Sequence, residues 1–221
     1  MSQRGKLVPP GNPNAFGRPR GLPGILAGWI MGWTGLEHNR WAVSQLSVAP
    51  GDSVLEVGCG PGDSVLEVGC GPGVAIRLLA EGQRAGFLAG ADPSPIMVRQ
   101  ARRRNAALVR AGWVEIGEGS ASWVPFGDDR FDRVLSVNNV MLWPDPPNDL
   151  REVARVMKPG GLLVISLNPR WAKTPGDVWD MGREILSLVT GAGFVAATVE
   201  GRADLRPFGA VAVSAKKPAA I

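Results

Sequence analysis

A glycine-rich turn after an apolar strand is the part of this 221-residue sequence best suited to holding a ligand. In Glu67-Val68-Gly69-Cys70-Gly71-Pro72-Gly73 the glycines fall as G-x-G-x-G, which lets the backbone turn sharply and approach a ligand closely. Asp92 ends the next predicted strand, where a carboxylate can accept hydrogen bonds from both hydroxyls of a ribose. Together they predict a site for a nucleoside-containing cofactor. Taken singly, the turn could be structural, and Asp92 could cap the helix that begins near Ser94.

The same strand and turn occur twice. Residues 51–61, GDSVLEVGCGP, are repeated without change at 62–72, and Gly73 closes the second copy. A cofactor-binding strand can occupy the centre of a sheet only once, so one copy is surplus. Only the second copy runs directly into a helix-forming segment, VAIRLL at 74–79, so we expect Val65–Val68 to be the central strand and 65–73 the working site. The first copy is then expected in the linker, as a loop or an edge strand. The alternative places the first copy in the sheet and lets 63–72 bulge between strand and helix, which would interrupt the ligand-holding loop.

Strands alternate with helices along the chain, and these elements must position the site. The hydrophobic pattern predicts strands over 65–68, 86–91, 113–116, 131–137, 162–167, 194–199 and 210–215, and helices over 24–33, 36–48, 74–81, 94–105, 148–157 and 176–190. Ser94 and Asn148 are the predicted N-caps of two of these helices. The alternation predicts an α/β fold with a parallel sheet covered on both faces, whose ligands bind beyond the carboxyl ends of the strands.

Composition divides the chain into three parts, and charge indicates which kinds of molecule the chain can bind. Residues 1–23 are rich in proline, glycine and basic residues and are expected to be a flexible leader; 24–48 form a helical cap, and 49–221 the core with the duplicated segment 51–72. The net charge of +4 is mildly basic, and its densest arginine cluster, at 99–110, fits the solvated face of a helix better than a nucleic-acid surface.

Cysteine usage and hydropathy bear on the compartment. Cys59 and Cys70 are one motif position counted twice, so they offer neither a disulfide framework nor metal-ligand spacing, and a reducing, cytoplasmic setting fits them. The uncharged stretch 21–36 follows basic residues as in a signal peptide, but it is too short to span a membrane and lacks a small-residue cleavage site.

Four segments in order carry a resemblance to a known family. They are VLEVGCGPG (65–73), GADPSPIMVRQARRRN (90–105), VPFGDDRFDRVLSVNNVMLW (124–143) and RVMKPGGLLVIS (155–166). They resemble the successive motifs of class I S-adenosylmethionine-dependent methyltransferases with a methyltransferase-11-type core, over about residues 38–216. The resemblance implies a Rossmann-like three-layer sandwich with a seven-stranded, mostly parallel sheet whose last strand is antiparallel, and methyl transfer from S-adenosylmethionine.

The resemblance also implies which residues bind the cofactor. They are Glu67, Gly69, Cys70, Gly71, Gly73, Asp92, Pro93, Met97, Ser120, Ala121 and Asn138. The glycine turn would surround the methionine part, Asp92 the ribose, Pro93 and Met97 the adenine, and Asn138 the amino-acid end. Where the family usually has an aspartate, this chain has Ser120 before Ala121, and a neutral acceptor for the adenine amino group is weaker by about 1 kcal/mol.

The catalytic residues are open at this stage. His38, the sole histidine, lies on a helix expected to cover the site and could act as a base or simply orient that helix. Asn139 is a candidate substrate-facing residue, and Trp143 could face the substrate or pack in the core. The tryptophans of 25–41 indicate a lid over a lipophilic small molecule, or a packed helix.

Two other functions stay open. The duplication could leave a non-catalytic or impaired S-adenosylmethionine-binding protein. A nicotinamide-dependent oxidoreductase is disfavoured because its fingerprint is G-x-G-x-x-G.

Overall fold

Helices and strands alternate through the part of the chain that the computed structural model describes, residues 6–7, 35–46, 53–57, 72–82 and 87–219. The strands are β1 Ser53–Val57, β2 Phe87–Asp92, β3 Val114–Glu118, β4 Phe131–Val137, β5 Met157–Leu167, β6 Val195–Arg202 and β7 Ala210–Lys216. The helices are α1 Leu36–Ser44, α2 Val74–Gly82, α3 Pro95–Arg104, α4 Ala106–Arg110, α5 Pro146–Val156 and α6 Pro175–Gly191, with a 3₁₀ turn at Val140–Leu142.

The strands form one sheet in the order β3-β2-β1-β4-β5-β7-β6. From β3 to β5 all neighbours are parallel, whereas β7 is antiparallel to both β5 and β6. The predicted α/β class is therefore confirmed. Because β1, β2, β4 and β5 run in the same direction, their carboxyl ends lie along one edge, where residues that follow different strands can meet.

Helices cover both faces of this sheet. One apolar cluster joins α1, α2 and α3 to the sheet through residues such as Val43, Ile76 and Val98. The other joins α5 and α6 to it through residues such as Leu150 and Ile185. Burial of each large aliphatic side chain stabilises the fold by about 1.5–3 kcal/mol, so these two clusters fix the sheet edge on which the site depends.

The central strand comes from the first copy of the repeat, so the prediction that Val65–Val68 fills this place is wrong. β1 pairs through Val57 with Ala91 of β2 and through Leu55 with Val134 of β4. Both copies carry the same Ser-Val-Leu-Glu-Val, so the pairing does not distinguish them and the connections must. The buried Leu46 is anchored beside β4, where its carbonyl accepts a hydrogen bond from Arg133 Nε at 3.2 Å. Along the chain, the first copy follows Leu46 more closely than the second copy does, so the first copy reaches the place between β2 and β4 by the shorter connection.

Removing one copy is expected to stabilise the protein. Deleting 51–61 or 62–72 yields the same sequence and shortens the connection between β1 and α2 by eleven residues. A shorter loop has a smaller entropic cost of closure, so the free energy of unfolding rises by about 1 kcal/mol. For a chain of this size, that raises the melting temperature by about 2–4 °C. Thermal unfolding of the two forms measures the change. A lower melting temperature for the shortened chain would show that both copies contribute to the fold.

Two residues of the expected leader are held against α6. Lys6 Nζ lies 2.7 Å from Asp177 Oδ1 and 2.6 Å from Asp180 Oδ2, and the side chain of Leu7 is buried. At these two positions the chain is docked, in contrast to the flexible leader expected there. The rest of 1–23 and the predicted helix 24–33 lie outside the described residues. Within the part that is described, no helix is long and apolar enough to cross a bilayer.

The predicted bounds of α2, α3 and α6 hold to within one residue, whereas α1 ends at Ser44 in place of 48, α4 was not predicted, and α5 has a different N-cap. α5 begins at Pro146, and its N-cap is Asp145 in place of the predicted Asn148, whose backbone N–H donates to Asp145 Oδ1. A proline at the first helical position needs no hydrogen-bond acceptor and has a helical φ, so it moves the start of the helix forward.

Candidate active site

Asp92 lies fully buried at the carboxyl end of β2. Its Oδ1 accepts a hydrogen bond from the backbone N–H of Ser94 at 2.6 Å. One carboxylate oxygen therefore does cap the start of α3, as the sequence allowed. Ser94 occupies the N-cap position of α3, but its own side chain makes no capping bond. Asp92 Oδ2 is buried and accepts no hydrogen bond within the described residues. Burial raises the pKa of this carboxyl well above its usual value. One buried acceptor thus remains for a ligand.

Gly73 immediately precedes α2 and has a backbone geometry that only glycine suits. Its φ is +72°, and a Cβ there would lie 2.6 Å from Asn105 Nδ2. The buried Asn105 donates from Nδ2 to Gly73 O at 3.2 Å and to Ala101 O at 3.0 Å. The end of α3 therefore fixes the start of α2. Asn105 was not predicted as a site residue, because its only signal in the sequence is an asparagine that ends an arginine-rich helix.

The segment after β3 lies beside Asp92, because the backbone N–H of Gly119 donates to Asp92 O at 3.1 Å. Ser120 and Trp123 then close a backbone bridge, with N–O distances of 2.9 and 3.1 Å. The Ser120 hydroxyl is half-buried and bonds to none of the described residues. The structure thus brings Asp92, Gly119 and Ser120 together at one edge. Of the neighbouring positions that sequence analysis singled out, Ala121 and Met97 are buried and Pro93 is exposed.

A buried polar network joins α1 to the ends of β4 and β5. His38 Nε2 lies 2.8 Å from Ser166 Oγ, and His38 Nδ1 lies 3.2 Å from Asn138 Nδ2. Asn138 Oδ1 accepts from the backbone N–H of Asn168 at 2.7 Å, and Ser166 Oγ donates to Val211 O at 3.2 Å. Asn138 has a φ of +50°, a left-handed conformation that asparagine tolerates better than most residues. The network holds this strained residue in place.

These contacts define the protonation state of His38. Ser166 Oγ gives its hydrogen to Val211 O, so it accepts from His38 Nε2–H, while His38 Nδ1 accepts from the Asn138 amide. The ring is therefore neutral, with its lone pair in use. Burial, followed by the positive charge of Arg202, lowers the pKa of His38 to about 3. An imidazole this weakly basic is poorly suited to act as a general base near neutral pH.

Asn139 bonds to Trp143 and, among the described residues, forms no side-chain hydrogen bond with the histidine network. Its Oδ1 accepts from Trp143 Nε1 at 2.5 Å, and both side chains are buried. The 3₁₀ turn Val140–Leu142 lies between them and is closed by the Leu142 N–H bond to Asn139 O at 2.8 Å. This geometry packs Trp143 into the core cluster, in agreement with its core interpretation.

A cavity of about 560 Å³ lies at the carboxyl edge of the sheet. It is lined by Gly35, Glu37 and His38 from the start of α1, Asn138, Asn168 and Arg170 from the ends of β4 and β5, and Asp204, Leu205, Arg206 and Pro207 from the β6–β7 loop. This is the volume of a site for a small organic molecule. His38 and Asn138 were predicted from the sequence, whereas the residues after β5 and in the β6–β7 loop were not, because they belong to no motif.

Four predicted cofactor residues, Glu67, Gly69, Cys70 and Gly71, lie outside the described residues. The counterpart of Glu67 in the first copy is Glu56, which lies in β1. No cluster of metal-ligating side chains occurs among the residues that the structure describes.

The chain is similar to known methyltransferases. A family model described as "Methyltransferase domain" matches residues 66–165. An uncharacterized methyltransferase, YdaC of Bacillus subtilis, is 31% identical over 88% of this chain and 99% of its own length. The chain belongs to this methyltransferase family. The methyltransferase is also 31% identical to the ubiquinone/menaquinone biosynthesis C-methyltransferase UbiE of Geotalea daltonii, over 58% of this chain and 50% of the relative.

A solved structure shows the same fold. The S-adenosylmethionine-dependent methyltransferase of Aquifex aeolicus superposes with a TM-score of 0.66 at 19% identity, over 87% of this methyltransferase and 97% of that chain. The family match begins inside the second copy of the repeat, whereas β1 comes from the first. Because the two copies are identical, the sequence match does not choose between them.

S-adenosylmethionine is the cofactor of this methyltransferase, and its described residues fit the molecule. The unpartnered Asp92 Oδ2 is the kind of acceptor that a ribose hydroxyl satisfies. Gly73 keeps the start of α2 free of a side chain. When bound, the cofactor supplies an electrophilic methyl group on a sulfonium.

Proposed function

We propose that this methyltransferase transfers the methyl group to a small polar molecule held in the cavity between α1, the β4 and β5 ends and the β6–β7 loop. The observation that carries the proposal is the position of Asn138, which lines the cavity at the same strand edge that ends in Asp92. A cavity beside the cofactor edge of the sheet is where an acceptor must lie, because methyl transfer needs the acceptor atom in line with the methyl carbon.

On the cofactor side, we assign Asp92 to the ribose hydroxyls and Ser120 to the adenine amino group. Both have an acceptor atom that no described residue uses, Asp92 Oδ2 and Ser120 Oγ. Asn138 keeps its assignment to the amino-acid end, since its Nδ2 carries two hydrogens and the His38 contact uses one. We transfer the cofactor-binding assignment of Glu67 to Glu56, its counterpart in β1.

The catalysis proposed here is mainly positioning and exclusion of water. His38 holds Asn138 and joins α1 to β5, so we assign it a positioning role in place of the base that sequence analysis considered. The cavity lining is mostly polar or charged, with Leu205 and Pro207 as its larger apolar members, and this favours a polar acceptor over the lipophilic one expected from 25–41.

Calorimetric titration tests the cofactor part of this proposal, and a screen tests the rest. S-adenosylhomocysteine is expected to bind in the micromolar range, whereas NAD is expected to give no measurable heat, because the glycine spacing differs from the dinucleotide fingerprint. A panel of small polar acceptors, assayed for S-adenosylhomocysteine release, then identifies the acceptor. Tight NAD binding would favour the nicotinamide-dependent oxidoreductase. Binding of S-adenosylhomocysteine without turnover on any acceptor would favour the non-catalytic binding protein.

A further inference from the structure

Two arginines that line the cavity have no partner among the described residues. Arg170 and Arg206 form no hydrogen bond and no ion pair with any residue in the described part of the chain. Both side chains are exposed, and exposed arginines without a partner are ordinary, but these two line one cavity that also borders Asn138. They extend from separate elements, Arg170 from the segment after β5 and Arg206 from the β6–β7 loop.

The acidic residues of the cavity do not compensate these charges. Glu37 Oε1 lies 2.9 Å from Arg202 Nη2, and Asp204 Oδ1 lies 3.0 Å from Arg202 Nε. Both carboxylates therefore face a third arginine, which is not among the lining residues. Among the described residues, the carboxylates of the cavity are already bonded, whereas its two arginines are not.

The segments that carry the two arginines are held in place. Asn168, two residues before Arg170, donates from Nδ2 to Gly209 O at 2.7 Å and from its backbone N–H to Asn138 Oδ1 at 2.7 Å. On the other side, the buried Leu205 precedes Arg206, and its carbonyl accepts from Gly209 N–H at 2.6 Å. Asn168 thus ties the β5 end to the β6–β7 loop, which keeps both arginines beside the same space.

We infer that the methyl acceptor carries an anionic group, a carboxylate or a phosphate, and that Arg170 and Arg206 bind it. The inference rests on the proposed function, because it assigns the acceptor to this cavity. The planar guanidinium fork matches both groups through two parallel hydrogen bonds, so either anion fits two arginines better than a neutral ring does. The cavity volume leaves room for the rest of a small organic molecule.

The test uses three probes that share a phenyl ring: phenyl phosphate, benzoate and the neutral benzamide. Each is titrated calorimetrically into the full chain saturated with S-adenosylhomocysteine. We expect at least one anionic probe to bind about tenfold or more tightly than benzamide, and the tighter of the two to identify the group. Arg170→Ala and Arg206→Ala are each expected to weaken that probe about tenfold. Neither variant is expected to change the affinity for S-adenosylhomocysteine.

Arg110→Ala is the matched control, since it removes the same charge from α4, which lies next to β3 at the other end of the sheet. It is expected to leave all three affinities unchanged. If S-adenosylhomocysteine binds but the anionic probes bind no better than benzamide, or lose equal affinity in all three variants, the inference is wrong while the proposed function stands. If S-adenosylhomocysteine itself does not bind the parent chain, the proposed function fails and the inference fails with it.

Discussion

Asp92→Ala is expected to weaken the binding of S-adenosylhomocysteine by about 100-fold or more. The variant removes Asp92 Oδ2, a buried acceptor with no partner among the described residues, together with the charge of the group. A hydrogen bond to a charged acceptor contributes about 1.5–3 kcal/mol, and a ribose offers two hydroxyls, so about 3 kcal/mol is a conservative loss. Titration calorimetry on the purified variant measures it.

Two control variants separate this effect from misfolding. Glu115→Ala removes an exposed carboxylate from the neighbouring strand β3 and is expected to leave the affinity unchanged. Asp92→Asn keeps the shape but not the charge, and it should lose most of the affinity. Thermal unfolding verifies that each variant folds. An Asp92→Ala protein that folds and binds as tightly as the parent would contradict the ribose assignment.

The same residue gives the affinity a pH dependence of defined sign. Only the ionised carboxylate accepts hydrogen bonds at both oxygens, and burial raises the pKa of Asp92 above its usual value in the unliganded protein. Affinity should therefore fall as the pH falls through that raised pKa, and this dependence should be absent in Asp92→Asn. A parent and variant with the same pH profile would show that another group is responsible.

Acidification from pH 7 to pH 5 is expected to lower the free energy of unfolding through His38 by about 2 kcal/mol. Its pKa is about 3 in the folded protein against 6.5 for an ordinary histidine, so the unfolded chain takes up the proton first as the pH falls below 6.5. The stability contribution of the neutral ring is fully present above pH 6.5 and is lost progressively toward pH 3. His38 is the sole histidine of the chain, so no second imidazole adds to this range.

A difference experiment isolates this contribution. Chemical denaturation of the parent and of His38→Gln is measured at both pH values, and the variant is expected to lose about 2 kcal/mol less than the parent on acidification. Asp92 titrates with the opposite sign, because its raised pKa makes the folded state favour the protonated carboxyl, but it is common to both proteins and cancels. Equal losses in the two proteins would show that His38 is not held neutral in the folded state.

Sequence patterns predicted the α/β class and most element positions because strands and helices have different hydrophobic periods and alternate clearly along the chain. Phe131–Val137 is the same in prediction and structure. The choice of copy could not be predicted, since identical residues make identical pairs and the decision lies in connections such as the Leu46–Arg133 anchor. The wrong choice came from the assumption that the glycine turn must lead directly into its helix.

The acceptor side of the site was hidden from the sequence for a different reason. Arg170 and Arg206 are far apart in the chain and meet at the cavity only because β7 runs antiparallel beside β5. His38 was identified as chemically interesting, but its neutral, positioning state depends on Ser166 and Asn138, which reach it from two other strands. Such contacts exist only after folding.

The central claim is that one S-adenosylmethionine site exists in a chain that carries its binding motif twice. Titration of the intact chain with S-adenosylhomocysteine tests it most directly through the stoichiometry. We expect one molecule bound per chain, because one strand lies between β2 and β4 and one Asp92 lies beside it. Two molecules bound per chain, or none, would contradict the claim.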